Sequence, residues 1–222
     1  MTHNGAMEED KDYEEERRKM VDLLRRHGVS ERVLDAMMHV KRHLFVPAGL
    51  SDQAYGDYPL PIGEGQTISA PHMVAMMCDY LELEKGENVL EVGTGSGYHA
   101  AVIAELIGEQ GHVYSIERIP WLEEFSRENL KRAGYEHVTV MLRDGTLGLP
   151  EHAPYDKISV TCAAPDVPPP LTDQLKVGGM MVIPIGRHTQ ELYLVKKRNG
   201  VEKKRKCDVI FVPLVGRYGF KR

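Results

Sequence analysis

The densest chemistry in this 222-residue chain lies in one run, Val89-Leu-Glu-Val-Gly-Thr-Gly-Ser-Gly97. An apolar strand enters a glycine turn of spacing G-x-G-x-G, in which Gly93, Gly95 and Gly97 let the backbone come close to a ligand. In an open α/β sheet, ligands sit outside the C-terminal ends of the strands, so this turn belongs to a binding crevice. A dinucleotide fingerprint would read G-x-G-x-x-G and aim a helix N-terminus at a pyrophosphate; here the third glycine comes one position early. Glu91, just ahead of the turn, brings a carboxylate that would repel a phosphate and favour an ammonium or sulfonium group. Glu117 ends the next strand, where a carboxylate can accept from both hydroxyls of a ribose. Asp144-Gly145 follows the third strand; the carboxylate can accept from an adenine amino group, and the glycine lets the ring approach the backbone. One acidic residue after a strand is more often a helix cap than a ligand, but three after consecutive strands behind such a turn are a far more specific pattern.

A second candidate stretch precedes the turn. Residues 48–70 are rich in glycine, proline and small polar residues, and they end in Ile62-Gly-Glu-Gly-Gln-Thr-Ile-Ser-Ala-Pro71. A loop of this length inside a compact domain is functional or disordered, and the apolar Ile62 and Ile68 favour an ordered, functional one. Thr67 and Ser69 are uncharged hydrogen-bond donors suited to positioning a substrate. No Ser-His-Asp pattern makes Ser69 a nucleophile, although His72 lies three residues on and can orient the loop or face the substrate. Asp57 reads as a brace for the loop. Pro71 fits the first turn of a helix through about Leu83, with either Ser69 or Ala70 as its cap.

The elements that must position these residues follow from apolar periodicity. Two short helices are expected from Tyr13 to His27 and from Ser30 to about Val40, a lid ahead of the loop. Beyond Gly86 strand and helix alternate: strands at Asn88–Val92, His112–Ile116, Val138–Met141, Asp156–Thr161 and Met180–Ile185, and helices at Tyr98–Ile107 and Trp121–Arg132. A short helix at Leu171–Leu175 is expected to end at Gly178-Gly179. Such repetition implies a doubly wound, mostly parallel sheet. Leu192–Lys196 and Val209–Leu214 are expected to close it as antiparallel edge strands flanking a solvated basic turn, Lys203–Lys206. The organisation read from the chain is therefore an acidic, disordered lead over 1–12 and a single domain over 13–222. Within it, 13–47 form the helical lid, 48–72 the substrate loop and 86–222 the cofactor-binding sheet.

Bulk properties narrow the function. The chain is 42% hydrophobic and 27% charged, a globular balance, and its net charge of -5 argues against a nucleic-acid partner. Cys78, Cys162 and Cys207 are far apart, without a C-x-x-C pair, which points to reduced thiols in a cytoplasmic protein with no bound metal. No apolar run approaches the roughly 18 residues of a membrane span, so no membrane partner is expected.

The G-x-G-x-G turn with Glu91, Glu117 and Asp144 resembles class I S-adenosylmethionine-dependent methyltransferases over roughly residues 60–215. Pro61-Ile-Gly-Glu-Gly-Gln-Thr-Ile-Ser-Ala-Pro-His-Met73, behind Tyr55-Gly-Asp57, resembles the signature loop of the protein-L-isoaspartate O-methyltransferases. Phe45-Val-Pro47, Ala153-Pro-Tyr-Asp156, Ala163-Ala-Pro165, Asp173-Gln-Leu-Lys-Val-Gly-Gly179 and Phe211-Val-Pro-Leu214 agree with it. Glu91 and Glu117-Arg118 stand where many members carry aspartates, which keeps the charge.

The resemblance implies a Rossmann-like methyltransferase sheet with an N-terminal helical lid and C-terminal antiparallel edge strands. It implies methyl transfer from S-adenosylmethionine to the free α-carboxylate of L-isoaspartyl residues in damaged proteins and peptides, and the enzyme is expected to act as a monomer. Ser69 becomes the active-site serine, and Thr67, His72, Ala164, Val212 and Pro213 join it at the substrate. Gly63, Gly65, Gln66, Glu91, Gly93, Gly95, Glu117, Arg118, Asp144 and Gly145 surround the cofactor. The competing readings are a methyltransferase of small molecules or RNA, and a nucleotide-binding dehydrogenase. The first would need a basic face or an N/D-P-P-Y motif to act on RNA, and the second a different glycine spacing.

Overall fold

The computed structural model describes residues 3–221, with side chains from Tyr13 onward. Its first helix, α1, spans His3–Arg26. The acidic lead expected over 1–12 falls on the first part of this helix, ahead of the residues whose side chains are described. Residues 1 and 2 lie outside the described part. Helix α2 spans Glu31–His39, and its N-cap Ser30 makes no side-chain cap bond; its hydroxyl turns to Asp79 at 2.5 Å.

Residues 42–53 form two short 3-10 turns, followed by a hairpin of β1 (Leu60–Gly63) and β2 (Gln66–Ile68). The stretch expected as an ordered loop is thus a two-stranded ribbon at its end. Its turn residues Glu64 and Gly65 both hold positive φ, the requirement of a two-residue hairpin whose twist matches the strands. Helix α3 runs Pro71–Leu81 with Ala70 as its N-cap, extended at φ -55 and ψ 144. The proline ring forbids the helical conformation at Ala70, which settles the choice between the two caps and leaves Ser69 outside the helix.

The main sheet contains β3 (Asn88–Val92), β4 (His112–Glu117), β5 (Thr139–Leu142), β6 (Tyr155–Val160), β7 (Leu175–Ile185), β8 (Gln190–Lys197) and β9 (Val201–Val209). Their order is β5-β4-β3-β6-β7-β8-β9, parallel through β7 and antiparallel beyond it. Helices α4 (Tyr98–Ile107), α5 (Pro120–Arg132) and α6 (Pro169–Gln174) connect the strands. Every residue of α4 except Glu105 is buried, as a helix that is apolar all round must be. One core cluster runs from Met20, Leu24 and Met37 of the N-terminal helices to Val89, Val102 and Val113, so those helices and the sheet share one interior.

Two expectations at the C-terminal end need correction. Gly178-Gly179 do not end a helix; they fall inside β7, where pairing jumps from Tyr155↔Leu175 to Lys157↔Met180 and the intervening residues bulge outward. Lys203–Lys206 are not a turn but lie in β9, the edge strand, and the turn falls at residues 198–200, where the Arg198 amide donates to the Gly200 carbonyl. Residues 210–214 are irregular, tied in by the bridge Ala163↔Pro213. Lysines along an exposed edge discourage pairing with another chain, which is why this strand carries no apolar alternation.

Candidate active site

Strand β3 is flanked by β4 on one side and β6 on the other, both parallel to it, so the chain order reverses there. A crevice must open beyond the C-terminal ends of these strands. A cavity of about 530 Å³ lies at that place, walled by Gly93, Thr94, Gly95 and Ser96 after β3, Glu117 and Arg118 after β4, and Thr161 and Cys162 after β6. Gly93 holds φ +99, and a Cβ there would sit 2.5 Å from the Thr161 hydroxyl oxygen, so this turn admits no side chain. The Thr161 hydroxyl ties the two strand ends by donating to the Gly93 carbonyl at 2.6 Å.

The Glu117 carboxylate is held by main-chain amides. Its Oε1 accepts from Arg118 and Ile119 at 2.8 and 2.9 Å, and its Oε2 accepts from Gly95 at 3.0 Å. A carboxylate offers about four acceptor sites, so three amides leave one at the cavity wall. Ile119 and Leu122 supply an apolar surface beside it, and Gly145 lies at the cavity boundary.

Thr67 and Ser69 enter the cavity from β2 and the residues after it, together with Gln66 and Ile68. No partner of the Ser69 hydroxyl is found among the described residues, and α3 has no side-chain cap bond, so its donor is available to a ligand. The opposite wall is built by Val212 and Pro213, by Arg187, His188 and Gln190 around the start of β8, and by Phe220 and Lys221 of the C-terminal tail. Gln190 fixes this wall, donating to the Phe211 carbonyl at 3.0 Å and accepting from its amide at 2.6 Å.

Six residues placed at the site by sequence do not line the cavity. Glu91 is fully buried beneath it, accepts from the Ser115 hydroxyl, and has Oε1 3.9 Å from His99 Nδ1. Burial pushes its carboxyl up to about 8 despite the Ser115 bond, with Glu117 adding to the rise. It is therefore largely protonated at neutral pH and does not present a negative charge to a ligand. Asp144 is engaged by its own turn and the tail: its Oδ1 accepts from the Thr146 amide at 2.9 Å and hydroxyl at 2.7 Å, and its Oδ2 from the Arg217 amide at 2.8 Å. The carboxylate expected as an adenine acceptor ties the tail to the turn after β5.

His72 is braced by Asp57, whose Oδ1 accepts from its amide and meets Nδ1, each at 2.9 Å. This fits the bracing role read for Asp57 and orients the His72 ring. Ala164 is buried, with its amide donating to Pro184 and its carbonyl accepting from Gly186. Gly63 and Gly65 belong to the hairpin tip outside the cavity.

Sequence reasoning also missed residues. Arg187 and His188 follow the end of β7, so the strand-end rule that located Gly93 had already pointed to them. Phe220 and Lys221 carried no such signal; the tail reaches the cavity because the Phe220 amide donates to Leu214 at 2.7 Å and Asp144 holds Arg217.

Residues 15–219 match the family described as protein-L-isoaspartate(D-aspartate) O-methyltransferase. The protein-L-isoaspartate O-methyltransferase of Methanothrix thermoacetophila is 60% identical over 203 residues, covering 91% of this chain and 96% of that protein. The Hyperthermus butylicus protein of the same name is 58% identical over 222 residues, covering 94% and 92%. Among solved structures, a protein-L-isoaspartate O-methyltransferase superposes with a TM-score of 0.84 at 33% identity, covering 91% of this chain and 67% of that one. A Plasmodium falciparum structure assigned to the same activity, in complex with S-adenosyl-L-homocysteine, gives 0.81 at 32% identity, covering 89% and 97%.

Proposed function

The chain belongs to the protein-L-isoaspartate(D-aspartate) O-methyltransferase family, and from that premise we infer how its cavity divides between cofactor and substrate. It is an S-adenosylmethionine-dependent enzyme that methylates the free α-carboxylate of L-isoaspartyl residues in damaged proteins and peptides. The residues present fit that cofactor: a glycine turn closed to any side chain at Gly93, one free acceptor site on Glu117, and an apolar wall of Ile119 and Leu122. We assign Gly93, Gly95, Glu117, Arg118, Gly145 and Gln66 to the cofactor, and Thr67, Ser69, Val212 and Pro213 to the substrate.

When bound, S-adenosylmethionine supplies an electrophilic methyl group on a sulfonium. The substrate carboxylate, with a pKa near ~4, is already ionised at neutral pH, so no general base is required of the protein. Negative and positive charge both disperse during transfer, and the protein's part is to align the reactants and exclude water. Ser69 does this by donating to one carboxylate oxygen, leaving the other to attack. The observation that carries this assignment is its unengaged hydroxyl on the cavity wall. Without help from the enzyme, the following backbone amide nitrogen displaces methanol from the ester to form a succinimide, and hydrolysis reopens this in part to normal aspartate, which makes the reaction a repair.

We further propose that the chain acts as a monomeric, single-domain enzyme of the cytoplasm. The net charge of -5 and the three free cysteines support this, and no described helix is long and apolar enough to cross a membrane.

Labelled methyl transfer to paired peptides differing only in Asp against isoAsp tests the reading. Base-labile label on the isoAsp peptide alone is expected. Equal labelling of both peptides, or none on either, would overturn it.

A further inference from the structure

The hairpin of β1 and β2 forms a sheet of its own, and two strands alone are marginal in water, so its position depends on what it rests upon. At its base it is anchored by the buried side chains of Leu60, Ile62 and Ile68. Ile62 reaches the glycine turn, its Cδ1 lying 3.5 Å from where a Cβ on Gly95 would stand. The tip has no such footing: Glu64 is exposed, and open space surrounds the Cβ position of Gly65. The contact at the tip is the indole of Trp121, on the first turn of α5. A Cβ on Gly63 would lie 3.1 Å from its Cζ3 and 3.3 Å from its Cη2, so the hairpin backbone itself lies against the ring.

Trp121 is 47% exposed, unusual for so large an apolar side chain, and its ring stacks on Phe125 at 5.0 Å with planes 15° apart. It sits one residue from Leu122 and two from Ile119, both cavity-lining, and Gln66, Thr67 and Ile68 of β2 line the same cavity. A ring that fixes the hairpin tip therefore fixes the spacing between these two sets of lining residues.

We propose that Trp121 is the seat on which the hairpin closes, a positioning residue that sets how tightly the cofactor is retained. The inference rests on the reading that this cavity holds S-adenosylmethionine. Phe125 supports the ring from behind, and Gly63 supplies a backbone without a side chain so that the two surfaces meet.

Trp121 is the single tryptophan of the chain, so indole emission reports this contact alone. Titrating the wild-type protein with S-adenosylhomocysteine while following that emission and its quenching by iodide is the first experiment. Binding is expected to shift the emission and lower the quenching constant roughly twofold, because closure shields the ring. Calorimetry on the same samples separates two failures. No binding at all overturns the assignment of the cavity, whereas binding with unchanged emission and quenching overturns the seat alone. Trp121→Ala is expected to weaken S-adenosylhomocysteine about five- to tenfold, with the loss falling on the KM for the methyl donor more than on kcat. Trp121→Phe, which keeps an aromatic face against Gly63, is expected to recover most of it. Unchanged affinity in Trp121→Ala would overturn the proposal; if that variant does not fold, the quenching of the wild-type protein still decides.

Discussion

At the scale of single residues, two side chains near the glycine turn contrast. Ser69 is half-buried with its hydroxyl unengaged on the cavity wall, whereas Glu91 is fully buried and largely protonated at neutral pH. A hydrogen bond to a charged group contributes about 1.5–3 kcal/mol, so Ser69→Ala is expected to lower kcat/KM on an isoaspartyl peptide roughly ten- to hundredfold. Affinity for S-adenosylhomocysteine, measured by calorimetry, should change little in the same variant, because the role proposed for the hydroxyl is toward the substrate and not the cofactor. Glu91 makes its mark on stability. Its carboxyl, raised to about 8, keeps a proton that the unfolded chain releases near the ordinary value of 4.5, so folding stability falls as pH rises between those values. Buried His99 acts with the opposite sign: held down to about 4 by burial, it stays neutral where the unfolded ring, near 6.5, takes up a proton, and stability rises with pH over that window. The two slopes offset each other from about pH 4.5 to 6.5, and only the Glu91 loss remains from there to about 8. Thermal melts should therefore be flat and then decline in the wild type, while Glu91→Gln should rise to about pH 6.5 and then level off. A wild-type decline that persists in Glu91→Gln would mean another group carries it.

Elements join at Arg42, in the first of the two 3-10 turns. Its guanidinium is fully buried, donates through Nε to the Ala54 carbonyl at 2.7 Å, and stacks over the Tyr98 ring at 4.8 Å. Burial lowers it to about 10, and neither terminal nitrogen has a partner among the described residues. One side chain thus connects the segment after α2, the segment leading to the hairpin, and the first residue of α4. Arg42→Ala would open a cavity and leave the Ala54 carbonyl without its donor, so a loss of about 3–5 kcal/mol is expected from urea midpoints at unchanged slope. The sequence did not reveal this junction, because nothing in the residues around Arg42 distinguishes a buried arginine from an exposed one. It did reveal β3, β4 and β6, since Val89 with Leu90, Val113 with Ile116, and Ile158 with Val160 supply short buried apolar stretches between helical segments. Strand β9 was hidden for the converse reason: an edge strand whose residues Val201 to Arg205 are exposed carries no alternation to read. The site divided in the same way. Gly93, Gly95, Glu117, Ser69 and Thr67 were legible because a strand end or a loop motif fixes them locally. The link from Asp144 to the tail was not legible, because its partners, the Arg217 amide and the turn of Thr146, are set by how the tail folds back.

For the molecule as a whole, charge sets a contradiction that the cavity must resolve. The substrate is an anion, and the protein carries a net charge of -5. At the cavity mouth the balance is reversed: Arg118, Arg187 and Lys221 line it with His188, and the single carboxylate among the lining residues, Glu117, is occupied by three main-chain amides. A local positive field inside a negative molecule attracts a carboxylate at short range and acts on its encounter rate more than on the bound state. Salt screens it, with a Debye length near ~30 Å at 0.01 M falling to ~10 Å at 0.1 M. Raising ionic strength across that range is therefore expected to lower kcat/KM on an isoaspartyl peptide about two- to fivefold while kcat barely moves. Reversing both exposed cations, Arg187→Glu with Lys221→Glu, gives the mouth the same sign as the rest of the protein, and salt should then raise kcat/KM. A salt slope identical in the double variant and the wild type would place the attraction elsewhere on the surface, because only a field at the mouth changes sign with those two residues.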